Sequence, residues 1–344
     1  MQTTKRITLL DIAADAGVSR ATVSLVMRES PLVAAETRER VLLSAERLGY
    51  VYDRVAASLR SQRSASVGLV VTSVGNPFFA EITTGVESVL SETGRLAILG
   101  QHSESLATQE RLLNQLLEYR VDGVILTAVA GTPASAIERL TRNGVNVVLC
   151  TRRVPGAAAS YVGSDNEAGA RAAAGHLLDH GVATVAFVGG VDGSPRRERA
   201  RGLTAGLVGR GFDPSLLVSI PSPPPREGGY AATVDLLRTA TLPVGIQAYN
   251  DIVAFGVAAA VRDAGLVVGH DVALIGFDDI QASRFEQPPL TTVDSDAAGI
   301  GARAAELFMR PPDERGEHVE LMSPARLVVR SSCGCGDDSP AKGG

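Results

Sequence analysis

The sequence predicts a small all-α head followed by a larger α/β domain of two lobes. Three observations carry this expectation. Residues 7–27, ITLLDIAADAGVSRATVSLVM, have the spacing of two short helices around a tight turn at Gly17. From Val67 onward short apolar strands alternate with amphipathic helices, the pattern of parallel α/β units. Those strands fall into two similar sets, which implies two lobes with a cleft between them.

At 344 residues the chain is long enough for a small domain plus one or two lobes with full cores. A hydrophobic content of 45% with 21% charged residues is that of an ordinary soluble globular protein. No run approaches the roughly 18 apolar residues of a membrane span, and MQTTKR followed by a capped amphipathic segment lacks a signal-peptide core. A cytoplasmic protein without a membrane partner is expected. The net charge of −5 is unevenly spread: residues 1–63 carry ten Lys/Arg against seven Asp/Glu, the remainder 23 against 31. Positive charge is thus segregated to the head, as a phosphate-binding end requires.

The first helix has a clear start. Thr8 can cap it, Asp11 completes a capping box, and Ile7 with Ile12 can form a hydrophobic staple. Gly17 permits a left-handed turn, and Ser19 is a good N-cap for a second helix running to about Met27. In that helix Val23, Val26 and Met27 share one face, whereas Arg20, Ala21, Ser24, Leu25 and Arg28 share the other. Two readings fit this spacing: a plain αα-hairpin, or a helix-turn-helix whose outward face enters the DNA major groove with Arg20 as the strongest base reader. A third helix is expected from about 35 to 48, with Val41, Leu42, Ala45 and Leu48 inward and Gly49 ending it. Ala34 offers it no capping side chain, a loss of about 1 kcal/mol. Residues 53–61, DRVAASLRS, are helix-like but too short to be stable unaided; they are a linker or a conditional hinge helix.

VGLVVTS, RLAILGQ, GVILTAV and VNVVLCT are the expected strands of the first lobe. YVGSD, VATVAFVGG, LLVSI, VGIQAYN and VALIGFDD are assigned to the second, and LTTVD with VELMSPARLVVRS supply crossing strands. The expected boundaries are a head over 1–50, a hinge over 51–63, and the two-lobed domain over 64–335. Within that domain the lobes divide at about 64–158 and 159–287 with crossovers at 288–335; a disordered tail follows at 336–344.

Ligands of open parallel sheets sit beyond the carboxyl ends of the strands. The polar residues there are Asn76 with Phe78 and Phe79, then Asp165, Arg199, Asn250 and Asp278. Carboxylate, amide and guanidinium groups beside aromatic rings suit a polyhydroxylated ligand. Asp165 and Asn250 also precede helices and can simply cap them. Enzyme readings find little support: GGVDG at 189–193 lacks the GK[ST] of a phosphate loop, and the five histidines show no HExxH spacing. His176 and His180, with no acid between them, read as ordinary helix residues. Cys150 sits in an apolar strand, and Cys333-Gly-Cys335 could chelate or be redox active but has no evident partners. No metal and no cofactor are expected.

DIAADAGVSRATVS, ETRERVLLSAERLGY and RVAASLRSQRSASVGLVV resemble the head, third helix and hinge of the LacI/GalR family of bacterial transcription regulators. The resemblance continues through NPFF at 76–79, DNEAG at 165–169, RARG at 199–202, ND at 250–251, GFDD at 276–279 and PPLTTV at 288–293. It implies a helix-turn-helix head on a periplasmic-binding-protein-like domain. It also implies a homodimeric repressor of a near-palindromic operator in double-stranded DNA, controlled by a small effector such as a sugar, a sugar derivative or a purine. DNA contacts are implied at Thr8, Ser19, Arg20, Ala21, Thr22, Ser24, Leu25 and Arg28, and in the hinge at Arg54, Ala57, Leu59 and Arg60. Leu59 matches a leucine that wedges into the minor groove. Effector contacts are implied at Phe78, Phe79, Arg199, Asn250 and Asp278, with Asp165 a further candidate. The chain departs from the pattern at Leu25, where several relatives carry a polar or cationic base reader; an apolar side chain there can still meet a thymine methyl. A solute-binding or sensory protein of the same two-lobed fold is the alternative.

Overall fold

The computed structural model describes residues 7–28, 30–51, 64–223, 225–311 and 318–336. The chain divides into two units, Met1–Ser64 and Ala65–Gly344. In the first, α1 (Leu9–Ala16) starts on Thr8, whose backbone N–H and hydroxyl both donate to the Asp11 carboxylate, at 2.8 and 2.6 Å. Gly17 closes it at φ 66°. Ser19 then opens α2 (Arg20–Val26), accepting the Thr22 N–H at 3.1 Å, and α3 (Ala35–Arg47) follows Ala34 with no side-chain cap. Ile12, Ala13, Ala16, Val23, Val26, Val41 and Ala45 make the core, with Ile7 packed against it.

One inward position differs from expectation. Leu42 is 48% exposed, and the buried position on that face belongs to Ser44. Its hydroxyl and the Arg47 guanidinium both donate to Asp15 of α1, holding that carboxyl below its ordinary range. A polar clasp between helices is invisible to a search for apolar periodicity. The expected hinge, with Arg54, Ala57, Leu59 and Arg60, lies outside the described residues, as does the tail from 337 onward.

The second unit begins with β1 (Ser66–Val71), α4 (Pro77–Glu92), β2 (Leu96–Gln101), α5 (Leu106–Glu118), β3 (Gly123–Leu126), α6 (Ala134–Arg142), β4 (Asn146–Cys150) and β5 (Ser160–Ser164). It continues with α7 (Asn166–Asp179), β6 (Thr184–Val188), α8 (Ser194–Gly209), β7 (Leu217–Ile220), α9 (Arg226–Leu237), β8 (Val244–Ala248), α10 (Asp251–Asp263) and β9 (Val272–Ile275). Last come β10 (Thr292–Asp294), α11 (Ala297–Met309), β11 (Glu320–Ser323) and β12 (Arg326–Val328). The first sheet has the parallel order β11-β5-β4-β3-β1-β2, the second β7-β6-β8-β9, and β10 with β12 forms an antiparallel ribbon. Helices cover β1, β3, β4, β6, β8 and β9, which is why those strands read as near-continuous apolar runs.

β5 corrects the expected lobe boundary. YVGS was assigned to the second lobe, but it pairs parallel with β4 in the first sheet, Val148 opposite Ser160. Residues 151–159 link the two strands without a helix, so the βαβ rhythm breaks there and suggests a new lobe where none begins. The chain crosses between lobes after β5, after β10 and after β11. α11 returns to the first lobe and packs backbone to backbone on α4: a Cβ at Gly85 would lie 1.9 Å from the Ala298 carbonyl, and one at Gly301 would lie 2.1 Å from that of Ile82.

Cys150 is fully buried as expected, its thiol pushed up to about 12 by burial. One convergence of side chains was not expected from the sequence. His176, His180, Cys333 and Cys335 converge, with their ligand atoms all within 4.8 Å of one another. Cys333 lies 157 residues beyond His176, so no sequence proximity betrays this. No helix among the described residues is long and apolar enough to cross a membrane.

Candidate effector cavity and DNA-reading face

A cavity of about 310 Å³ opens between the lobes at the carboxyl ends of the strands. Its first-lobe wall starts where β1 ends, at Thr72 and Ser73. Asn76 then caps α4, accepting the Phe78 N–H at 3.1 Å, and so turns Phe78 and Phe79 into the cavity as an edge-to-face pair 5.1 Å apart. Arg152, just past β4, donates to both oxygens of Glu104 at 2.8 and 2.7 Å, a bidentate pair on the cavity wall.

Arg199 organises the second-lobe wall. α8 holds it against the face of Phe277, 3.6 Å from the ring centroid, with Tyr249 at 4.9 Å. Its Nε donates to Asn166 Oδ1 at 2.8 Å, one terminal nitrogen donates to the Tyr249 carbonyl, and the other lies 3.5 Å from Asp278. Asn166 in turn donates to Glu198 at 2.8 Å, and Glu198 receives Arg153 from the first lobe at 2.8 Å. This relay connects the cavity to a contact between lobes.

Asp278 is buried, and its backbone sits at φ 115°, a conformation costing about 1–3 kcal/mol for a residue with a side chain. Its N–H donates to the Val293 carbonyl at 2.8 Å, and the Arg330 guanidinium holds the neighbouring Asp279 at 2.6 Å. Burial pushes the Asp278 carboxyl up to about 8; Arg199 offsets part of this, while Asp251 and Glu81 add to it. The group therefore titrates close to neutrality.

Of the residues implied by sequence, Phe78, Phe79, Arg199, Asn250 and Asp278 line this one cavity. Asn250 does two things, since it also caps α10 by accepting the Val253 N–H at 2.9 Å. Asp165 is not on the wall. It caps α7 through the Ala168 N–H at 3.0 Å, and the next residue, Asn166, reaches the cavity instead. Sequence reasoning missed Thr72, Glu104, Arg152, Ser164, Asn166, Tyr249 and Ser295. Thr72 and Arg152 follow strand ends, so the rule that found Asp278 could have found them. Glu104 lies in a loop and carried no such signal.

Three of the missed groups are informative. The hydroxyls of Thr72, Ser164 and Ser295 are buried on this wall and have no hydrogen-bond partner among the described residues. Buried hydroxyls without partners are costly, and ones that line a cavity are groups that a ligand can satisfy.

In the head, Arg20, Ala21 and Arg28 are exposed, Ser24 and Leu25 are half-buried, and none belongs to the core cluster. The outward face of α2 is thus as expected. Ser19 and Thr22 share a hydroxyl contact at 2.9 Å at its N-terminus, and the Arg28 Nε folds back onto the Ser24 carbonyl at 3.1 Å. The Thr8 hydroxyl is already donated to Asp11 as part of the capping box.

A helix-turn-helix head whose second helix keeps its outward face unburied, on the same chain as a two-lobed domain with a polar cleft, defines a ligand-responsive DNA-binding regulator. Residues 8–53 match the family described as bacterial regulatory proteins, lacI family, and residues 174–333 match the periplasmic binding protein-like domain. The chain is 31% identical over 330 residues to the HTH-type transcriptional repressor PurR of Pasteurella multocida, covering 94% of this chain and 98% of that protein. It is likewise 31% identical over 334 residues to catabolite control protein A of Priestia megaterium, covering 95% and 99%. The solved structure of a transcriptional regulator CelR-cellobiose complex matches with a TM-score of 0.71 at 33% identity, covering 95% of this chain and 100% of that one. The chain belongs to the LacI family of bacterial regulatory proteins, and it is a transcriptional regulator rather than an enzyme.

Proposed function

We propose that this regulator is a cytoplasmic homodimeric repressor whose two heads bind a near-palindromic operator and whose cleft takes a sugar or sugar derivative. The observation that carries the effector class is the composition of the cavity wall, where Arg199, Asn250 and Asp278 stand with Thr72, Ser164 and Ser295, whose buried hydroxyls have no hydrogen-bond partner among the described residues. A polyol can donate to and accept from all of these at once, with Phe78 and Phe79 beneath its apolar face. The solved CelR-cellobiose complex, 33% identical to this chain, supports this choice.

Dimerisation agrees with the edge strand β2, where Leu96 and Leu99 are 62% and 47% exposed. Two-fold symmetry in the protein then requires two-fold symmetry in the DNA site. Effector binding shifts the angle between lobes through the Asn166–Glu198–Arg153 relay, and this alters whether the paired 53–63 segments fold on DNA with Leu59 as a wedge. A coupling of about 1–3 kcal/mol changes occupancy about 5- to 150-fold.

The test is selection of bound duplexes from a random DNA pool, repeated with sugars and with purines. An enriched palindrome lost on adding a sugar is the expected result. Loss with a purine alone would replace the effector class, and enrichment that needs an added ligand would make the effector a corepressor. Leu59→Ala should weaken operator binding by about tenfold or more while leaving effector affinity intact; unchanged operator affinity removes the wedge.

A further inference from the structure

We propose that His176, His180, Cys333 and Cys335 form a tetrahedral zinc site that pins the C-terminal segment to the far end of α7. Zn–N bonds of about 2.05 Å and Zn–S bonds of about 2.3 Å at tetrahedral angles require N···N near 3.3 Å and N···S near 3.6 Å. The structure has His176 Nε2 3.3 Å from His180 Nε2. Cys335 Sγ lies 3.6 and 3.5 Å from those two nitrogens, and Cys333 Sγ lies 3.1 Å from His176 Nε2. Four groups thus already stand close to the edges of the polyhedron.

The local sequence explains how they reach it. Four residues along a helix bring a side chain back to the same face, so His176 in the last turn of α7 and His180 at its C-cap aim the same ring nitrogen at one point. Gly334 at φ 102° makes the turn that lets both flanking thiols face them. A Cβ at 334 would sit 2.7 Å from the Gly269 carbonyl and 3.2 Å from His180 Nδ1, so no other residue serves here. The turn is fastened independently of the cluster: Leu274 N–H donates to the Ser332 carbonyl, and Thr291 N–H to the Ser332 hydroxyl, each at 2.8 Å.

The donor set selects the ion. Two imidazoles and two thiols in a tetrahedral array suit zinc and not magnesium or calcium, which need oxygen ligands. The nearest carboxylate in sequence, Asp179, is engaged at 2.6 Å by Arg210. Thr291 Oγ1 donates to Cys333 Sγ at 3.1 Å, the kind of outer hydrogen bond that steadies a metal-bound thiolate. With four protein ligands the coordination sphere is complete, so the ion is structural. Zinc binding releases the two thiol protons, one from each cysteine, and requires no oxidant or reductant.

The test uses the full chain, purified under reducing conditions without a polyhistidine tag or metal-affinity resin. Elemental analysis should find one zinc per chain. After chelation, cobalt(II) should restore the intense visible absorption of a tetrahedral thiolate-ligated ion, with zinc displacing it. Chelation should lower Tm by several degrees, reversibly, and Cys335→Ser should weaken and shift the cobalt spectrum. The cobalt titration of the unaltered chain decides the matter even if a variant fails to fold. Absence of bound zinc together with only the pale spectrum of octahedral cobalt overturns the proposal. So does equal reactivity of both thiols with and without zinc, or a Cys333–Cys335 disulfide that forms at the same rate in its presence.

Discussion

α7 joins two polar clusters of opposite design. At its N-terminal end Asn166 sits in a wall built around Arg199, where hydroxyls remain unsatisfied and about 310 Å³ is open. At its C-terminal end His176 and His180 face two thiols, with four ligand atoms within 4.8 Å of one another, where the zinc ion is proposed. The first cluster holds valence in reserve, as an exchangeable ligand requires. The second spends all of its valence on one central charge, as a permanent clamp requires. A site for a signal and a site for a structural ion are thus told apart by what is left unbonded, more than by which residue types are present.

The strongest way to break this contrast is Arg199→Ala. It removes a guanidinium from Asn166, Tyr249 and Asp278 together and leaves buried acceptors behind, so effector affinity should fall by about 3 kcal/mol or more, over 100-fold by calorimetry. Operator affinity without effector and zinc content should be unchanged. Normal effector affinity would put Arg199 outside the binding site. Zinc removal should do the reverse: Tm falls, roughly 5 °C for a loss of about 2 kcal/mol, while effector affinity holds. A matching loss of effector affinity would mean that α7 transmits strain from one end to the other.

A smaller effect follows from Asp278. A ligand hydroxyl donates to the ionised carboxylate, so affinity should rise with pH through about 8 and be about tenfold weaker at pH 7 than on the alkaline plateau. Binding at pH 7 should release protons, seen as a dependence of calorimetric enthalpy on buffer, and Asp278→Asn should abolish both effects. The same carboxyl, with Asp251 raised by burial to about 7, has the opposite sign for stability. A carboxyl whose pKa is raised by folding adds stability at low pH that is lost as pH rises through its folded value. Tm without effector should therefore decline from pH 5 to 9, and less steeply in Asp278→Asn. The smallest change concerns the head: Ala34→Ser supplies the missing cap of α3 and should stabilise that unit by about 1 kcal/mol, read as a higher Tm of the head.

Much of the cavity was legible because polar residues at strand ends have few structural alternatives in a buried parallel sheet. Where an alternative existed it decided the matter: Asp165 caps a helix, and Asn250 both caps and lines. Ser44 is buried where Leu42 was expected, because Asp15, on a different helix, supplies a partner for the hydroxyl. The zinc ligands were passed over because each half of the set, taken alone, has an ordinary explanation.

Capping, turns and apolar period are local properties, encoded within a few residues, and they determined the three-helix head, the strand and helix succession, and the family. Sheet membership and the contents of a site depend on contacts between residues far apart in the chain. Only the tertiary structure placed β5 in the first sheet, gathered three residues with unsatisfied hydroxyls on the cleft wall, and brought Cys333 and Cys335 to a pair of histidines, with 157 residues separating Cys333 from His176. Folding brings such groups together by burying the apolar elements that carry them, and no window along the sequence records that burial.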